Sequence, residues 1–82
     1  MKITLSLYAT LRDYLPTDSG GRATLDLASD ARISDSLAAV GVPIASAHII
    51  LVNGRHVLRP DIPTRQLAEG DHVAVFPAIG GG

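Results

Sequence analysis

The residues best suited to chemistry stand at the end of the chain, where Ile79 precedes Gly80, Gly81 and Gly82. Because glycine has no Cβ, its backbone passes through a slot too narrow for any other residue and adopts either sign of φ. A carboxylate on such a thread can be delivered into the active site of another protein. The alternative is a frayed terminus without function, since chain ends are commonly poorly ordered. We expect residues 79–82 to form a flexible tail on a folded domain of residues 1–78.

No other set of residues forms a credible active site, so we expect no catalytic residue. The serines and histidines occur without a Gly-x-Ser-x-Gly elbow or a helix-borne histidine pair. His48, His56 and His72 are too scattered to be metal ligands and are predicted to be surface or strand-edge histidines. The pair Gly20-Gly21 precedes a strand instead of a helix, which indicates a turn and not a phosphate-binding loop. The chain is therefore predicted to be acted upon or docked, and not to be an enzyme.

Length and composition limit the chain to one domain with few kinds of partner. Its 82 residues allow one hydrophobic core, and a hydrophobic fraction of 46% is enough to fill it. The net charge of −1 and the small number of aromatic residues argue against a nucleic-acid partner. No apolar stretch approaches the roughly 20 residues that cross a bilayer, so we expect no membrane partner and a cytoplasmic location.

The hydrophobic pattern predicts two helices and five strands. In chain order these are a strand over 2–8, a short helix over 10–15, a strand over 23–28, the main helix from Ile33 to Val40, a strand over 47–52, a short strand over 55–58 and a final strand over 72–76. The main helix is expected to begin at Ser29 or Asp30, not at Arg32, and to stop at Gly41. Prolines at 60 and 63 are expected to exclude regular structure over 59–64.

This order of elements predicts an α+β fold with a mixed sheet of four or five strands packed on one main helix. A helix between two strand pairs lies on one face of the sheet, which is the β-grasp, or ubiquitin-like, architecture. The first and last strands have the most regular alternation, so we expect them at the centre of the sheet. Asn53-Gly54 predicts a type I′ turn between the third and fourth strands.

The alternation also predicts an apolar patch on the face of the sheet opposite the main helix. If the third and last strands are neighbours, the side chains that face away from the helix are Ile49, Leu51, Ala74 and Phe76. A contiguous apolar patch often marks a partner site. The alternative is that the 56–66 loop folds over these residues and makes a satellite core.

Five stretches form a pattern across essentially the whole chain. They are Tyr8-Ala-Thr-Leu-Arg-Asp13, the helix from Ile33 to Pro43, Val52-Asn-Gly54, the run Leu67-Ala-Glu-Gly-Asp-His-Val-Ala-Val-Phe-Pro77, and Gly81-Gly82. Together they resemble the MoaD/ThiS family of sulfur carriers. The Gly-Asp-x-Val-x-x-Phe-Pro stretch that runs into the terminal glycines is the most specific part of the resemblance.

The resemblance implies a function for the terminal glycine. In that family an E1-like enzyme uses ATP to adenylate the glycine carboxylate, which then becomes a thiocarboxylate and donates sulfur to a biosynthetic enzyme. By position, Gly82 would carry the sulfur, Gly80 and Gly81 would complete the tail, and no cofactor would be bound by the chain itself. The resemblance implies a partner-binding surface of Ile49, Leu51, Ala74, Phe76, Pro77 and Ile79.

The pathway is left open by the sequence. The length and the short helix are most similar to the small, non-catalytic subunit of molybdopterin synthase, whose partner is the larger synthase subunit. Ala78 and Gly80 depart from the common Phe-Pro-Pro-Val-x-Gly-Gly ending, so thiamin, cysteine and tungsten-cofactor pathways remain alternatives. A β-grasp interaction module with an idle tail is the alternative from a different class.

Overall fold

The computed structural model describes residues 1–78 and shows five strands and one α-helix, together with 3₁₀ turns. The strands are β1 (Lys2–Leu7), β2 (Arg22–Asp26), β3 (Ile49–Val52), β4 (Arg55–His56) and β5 (His72–Phe76), and the helix α1 is Ile33–Val40. The 3₁₀ segments are Ala9–Tyr14, Thr17–Ser19, Ile44–Ser46 and Arg59–Asp61. The predicted α+β class and β-grasp arrangement are confirmed, and the predicted short helix after β1 is a 3₁₀ helix. The predicted tail over 79–82 lies outside the described residues.

The sheet has the order β2-β1-β5-β3-β4, which confirms the central position predicted for the first and last strands. β1 runs parallel to β5, with Leu5 opposite Val73, and the other pairs are antiparallel. The last strand therefore lies between the first strand and the third, although each of these is far from it in sequence. Parallel neighbours need a long connection, and here that connection contains all the other elements of the fold.

One face of the sheet packs against α1, as the alternation of β1 predicts. Ile33 and Leu37 of α1 are fully buried, and Ser36 between them satisfies its hydroxyl by donating to the carbonyl of Ile33 at 2.6 Å. A buried hydroxyl with a backbone acceptor avoids the cost of an unsatisfied polar group. The sheet supplies the other side of this core through Ile3, Leu5, Leu7, Ile50, Val52, Val73 and Val75.

The start of α1 corrects the sequence prediction, because the N-cap residue is Arg32 and not Ser29 or Asp30. No side chain at the N-cap accepts a hydrogen bond from the first turn. The Asp35 carboxylate instead reaches back and accepts a hydrogen bond from the Arg32 backbone N–H at 2.8 Å. An acidic residue in the first turn also interacts favourably with the positive end of the helix dipole.

Backbone carbonyls from the loop before β5 satisfy the remaining N–H groups at the start of α1. The N–H of Ile33 donates to the carbonyl of Arg65 at 3.1 Å, and the N–H of Ser34 donates to that of Ile62 at 2.9 Å. These acceptors replace the serine or aspartate side chain that usually occupies an N-cap. The prediction from local residue types was wrong because the acceptors come from a distant part of the chain.

The segment after the β3–β4 turn also differs from the prediction. The strand expected over 55–58 ends at His56, and the segment expected to be irregular contains a 3₁₀ turn over Arg59–Asp61. Pro60 fits because the first turn of a helix does not require its missing N–H. The guanidinium of Arg59 fixes this turn by donating to the carbonyls of Ala47 at 2.8 Å and Ile44 at 2.9 Å. The predicted type I′ turn is confirmed by positive φ values at Asn53 and Gly54.

Replacing Leu37 by alanine should destabilise the fold strongly, because this side chain is fully buried between α1 and the sheet. The expected loss of unfolding free energy is about 2–5 kcal/mol. Leu58→Ala is the matched control, since Leu58 is 62% exposed, and it should cost less than about 0.5 kcal/mol. Urea unfolding followed by circular dichroism measures both. Equal losses for the two variants would contradict the assignment of the core.

Candidate functional site

The face of the sheet opposite α1 carries the predicted apolar patch. The register of β3 and β5 places Ile49 directly opposite Phe76, and Leu51 directly opposite Ala74. These residues alternate with the buried Ile50, Val52, Val73 and Val75, so their side chains lie on the opposite face. Ile49 is 39% exposed and the other three are half-buried. The structure therefore brings together all four residues of the predicted patch.

Tyr8, the residue directly after β1, extends this patch beyond β3 and β5. The sequence prediction did not include Tyr8 in the patch. Its ring stacks on Phe76 with centroids 4.4 Å apart and planes 8° from parallel. The Tyr8 N–H donates to the carbonyl of Val75 at 3.1 Å, which holds the end of β1 beside β5. The alternation of β1 already placed Tyr8 on this face, but only the parallel register shows that it meets Phe76. We call Tyr8, Ile49, Leu51, Ala74 and Phe76 the open-face patch.

The loop that could have covered the patch packs elsewhere. Val57 and Ile62, the buried residues of the 56–66 segment, belong to the core cluster that contains Leu37 of α1. The hydrogen bond from Ser34 of α1 to the Ile62 carbonyl fixes the loop on the helix side. The alternative of a satellite core under this loop is therefore wrong.

The open-face patch lies where β5 ends and residues 77 and 78 follow. Phe76 is the last residue of β5, and Pro77 after it is half-buried. Ala78 is exposed and is the last residue that the structure describes. Ile79, predicted to belong to the partner-binding surface, lies outside the described residues together with Gly80, Gly81 and Gly82.

A polar row borders the open-face patch on β1, β2 and β5. The Ser6 Oγ and His72 Nε2 are 2.7 Å apart, and Arg22 Nε donates to Ser6 Oγ at 3.4 Å. Ser6 is buried and His72 is half-buried, so this pair fixes side chains on the face that carries the patch. Sequence reasoning missed the pair because Ser6 and His72 are neighbours only through the parallel pairing of β1 with β5.

The part of the chain from 1 to 78 contains no cluster that could hold a metal ion. His48 and His56 are exposed, and no group of three or more histidine, aspartate or glutamate side chains converges among these residues. None of the helices in this range is long and apolar enough to cross a membrane. Within the described part of the chain, the Ser6–His72 pair is a direct contact between a hydroxyl and an imidazole.

The Mut7-C ubiquitin family model matches residues 1–80. The chain belongs to the Mut7-C ubiquitin family. This membership agrees with the resemblance seen in the sequence in one respect, since both describe ubiquitin-like domains. No curated protein matches the chain in sequence.

Solved structures share the fold of this Mut7-C ubiquitin family member over almost its full length. SAMP1 of Haloferax volcanii is 24% identical, with a TM-score of 0.70 and full coverage of both chains. The HVO 2177 protein of the same organism is 26% identical with a TM-score of 0.73, covering 100% of this chain and 87% of its own. A protein assigned as molybdopterin converting factor subunit 1 of Pyrococcus furiosus is 24% identical with a TM-score of 0.67, covering 95% of this chain and 98% of its own.

The stacking of Tyr8 on Phe76 should be measurable as a coupling free energy. In a double-mutant cycle with Tyr8→Leu and Phe76→Leu, we expect a coupling of about 0.5–1.5 kcal/mol in unfolding free energy. The matched control cycle pairs Phe76→Leu with Tyr14→Leu, because Tyr14 is also exposed but does not stack on Phe76. Its coupling should be below about 0.5 kcal/mol. The stacking would be refuted by couplings of the same size in the two cycles.

Proposed function

We propose that this chain is a ubiquitin-like sulfur carrier whose Gly82 carboxylate is activated by an E1-like enzyme and converted to a thiocarboxylate. The observation that carries the proposal is the open-face patch at the end of β5. Phe76 lies in this patch and stands six residues before Gly82 in the sequence. A partner that docks on the patch is therefore close to the segment that holds the reacting group.

The proposed reaction requires activation because a carboxylate is a poor electrophile. Attack of the Gly82 carboxylate on the α-phosphate of ATP forms an acyl-adenylate and releases pyrophosphate. A sulfur nucleophile then attacks the acyl carbon, and AMP leaves with the electron pair of the broken bond. With hydrosulfide as the nucleophile, loss of the sulfur's proton leaves the thiocarboxylate. With a persulfide as the nucleophile, a thiol cleaves the resulting acyl disulfide and leaves the thiocarboxylate and a disulfide. The catalytic groups belong to the partner, as for other group carriers.

The folded surface supplies the binding energy that the tail cannot supply. Ordering a glycine-rich segment in a narrow channel costs conformational entropy, because glycine loses more freedom than other residues. Burial of the aromatic pair Tyr8–Phe76 and the aliphatic Ile49 and Leu51 offsets this cost at an interface. The activating enzyme and the sulfur acceptor are both proposed to bind this patch, and to contact Pro77 and Ile79 as well.

The proposed pathway is synthesis of molybdopterin, with a larger synthase subunit as the sulfur acceptor. The support is the shared fold and nearly equal length of the protein assigned as molybdopterin converting factor subunit 1. The proposal places the chain in the cytoplasm, where its ATP-dependent partner operates, and involves neither nucleic acid nor a membrane. The net charge of −1 supports the absence of a nucleic-acid partner.

Intact mass spectrometry tests the chemistry at Gly82. The protein is incubated with ATP, a sulfur source and the E1-like enzyme of the organism that encodes this chain. We expect a mass gain equal to the exchange of one oxygen for one sulfur, localised to Gly82 by fragmentation. A variant with one alanine added after Gly82 should fold normally and gain nothing, because its Gly82 has no carboxylate. A chain that is unmodified by an enzyme shown to be active on its own carrier would contradict the proposal.

Two matched variants separate docking from chemistry in the same assay. Phe76→Asp puts a charge into the open-face patch and should abolish modification, whereas Leu58→Asp puts it on an exposed residue outside the patch and should not. Ile49→Asp serves as a second patch variant at a more exposed position. The rival interaction module makes a different prediction for growth of cells that depend on this chain. If a chain without Gly81 and Gly82 supports growth and Phe76→Asp does not, the chain is an interaction module and not a carrier.

A further inference from the structure

A cleft of about 420 Å³ lies where β1 ends and β2 begins, and within residues 1–78 its lining includes two arginines and no acidic residue. Among residues 1–78, one ion pair has a nitrogen–oxygen distance within 4.0 Å, and it joins the Met1 ammonium group to Asp26. Neither Arg12 nor Arg22 therefore has a carboxylate within that distance in this part of the chain. The chain as a whole carries a net charge of −1. The cleft is therefore a local concentration of positive charge on a slightly acidic protein.

The side chain of Arg12 lies beside the loop that precedes β2. Gly21 is buried with a φ of 76°, and a Cβ at this position would lie 2.6 Å from the Leu7 carbonyl oxygen. The same Cβ would lie 3.1 Å from both Cγ and Nε of Arg12. The stem of Arg12 therefore lies against the backbone of the loop, in space that only glycine leaves open.

Arg22 makes one side-chain contact on the other side of the cleft. Its Nε donates to Ser6 Oγ at 3.4 Å, and Ser6 is itself fixed by its 2.7 Å contact with His72. An arginine whose stem or Nε is already positioned loses less side-chain entropy when its guanidinium binds a ligand. Arg12 and Arg22 are both exposed, so their guanidinium groups are accessible to a ligand.

Tyr8 connects this cleft to the open-face patch. It lines the cleft and stacks on Phe76 of the patch. A protein that covers the patch therefore reaches the cleft as well. Carboxylates match the planar fork of arginine and form two parallel hydrogen bonds with it.

We propose that the cleft receives an acidic side chain of the partner protein that docks on the open-face patch. Arg12 and Arg22 bind the carboxylate while the patch supplies the apolar contact, so the pair selects partners with an aspartate or glutamate at the rim of their binding surface. This inference rests on the proposed function only for the place of docking, and not for the chemistry at Gly82.

Isothermal titration calorimetry with the E1-like adenylating enzyme of the same organism tests the proposal. The Arg12→Gln/Arg22→Gln variant should bind about tenfold more weakly or worse, and its affinity should depend less on salt concentration than that of the unmodified chain. The matched control is Arg55→Gln/Arg65→Gln, which changes the net charge by the same amount. Arg55 lies opposite Val52 in the β3–β4 register, and the side chain of Val52 faces the core. The Arg65 carbonyl accepts a hydrogen bond from the N–H of Ile33 in α1, so both arginines belong to segments outside the open-face patch. The control should bind within about twofold of the unmodified chain.

The outcomes distinguish this inference from the proposed function. If Arg12→Gln/Arg22→Gln binds like the unmodified chain while Phe76→Asp does not bind, the acidic contact is refuted and the docking surface stands. If Phe76→Asp also binds normally, the docking surface itself is refuted. Inorganic phosphate is added to the unmodified chain as a small-anion probe, with the Arg Nε–H resonances followed by NMR. Saturable binding of phosphate that leaves enzyme affinity unchanged would make the cleft a small-anion site and overturn the inference.

Discussion

The parallel pairing of β1 with β5 is the constraint on which the rest of the structure depends. It joins the two ends of the folded domain at the middle of the sheet, with Leu5 opposite Val73 and Leu7 opposite Val75. These residues are fully or almost fully buried, so a slip of one residue would move every core side chain of β5 to the opposite face. Because β5 also pairs with β3, the last strand has no unpaired edge and its position is determined from both sides.

The same pairing creates the surface that we propose for docking. α1 and the loop carrying Val57 and Ile62 close one face of the sheet, and the other face keeps its side chains half-buried or exposed. On that face the register brings Tyr8 onto Phe76 and Ser6 onto His72, so an apolar region and a polar row lie side by side. A surface of this kind combines an apolar centre with oriented polar groups at its border, which is the usual anatomy of a protein interface.

Much of this arrangement could be predicted from the sequence because each strand alternates clearly. The alternation of β3 and β5 placed Ile49 and Phe76 on one face, and the helix between strand pairs indicated the β-grasp fold. Three features could not be predicted, since each depends on contacts between distant segments. The start of α1 uses carbonyls from residues 62 and 65 in place of a side-chain cap. Tyr8 joins the patch only through the parallel register, and the cleft needs Gly21 beneath Arg12. Local residue types carry no information about such partners.

The central claim is that the open face, and not the helix face, meets the activating enzyme. Methyl NMR of the labelled chain, titrated with the unlabelled enzyme, tests it most directly, because Ile49 and Leu51 report on the open face and Leu58 on a surface outside the patch. The account predicts that the methyl signals of Ile49 and Leu51 shift or broaden as the enzyme is added, while those of Leu58 stay unchanged. Perturbation of Leu58 with Ile49 and Leu51 unaffected would contradict the account.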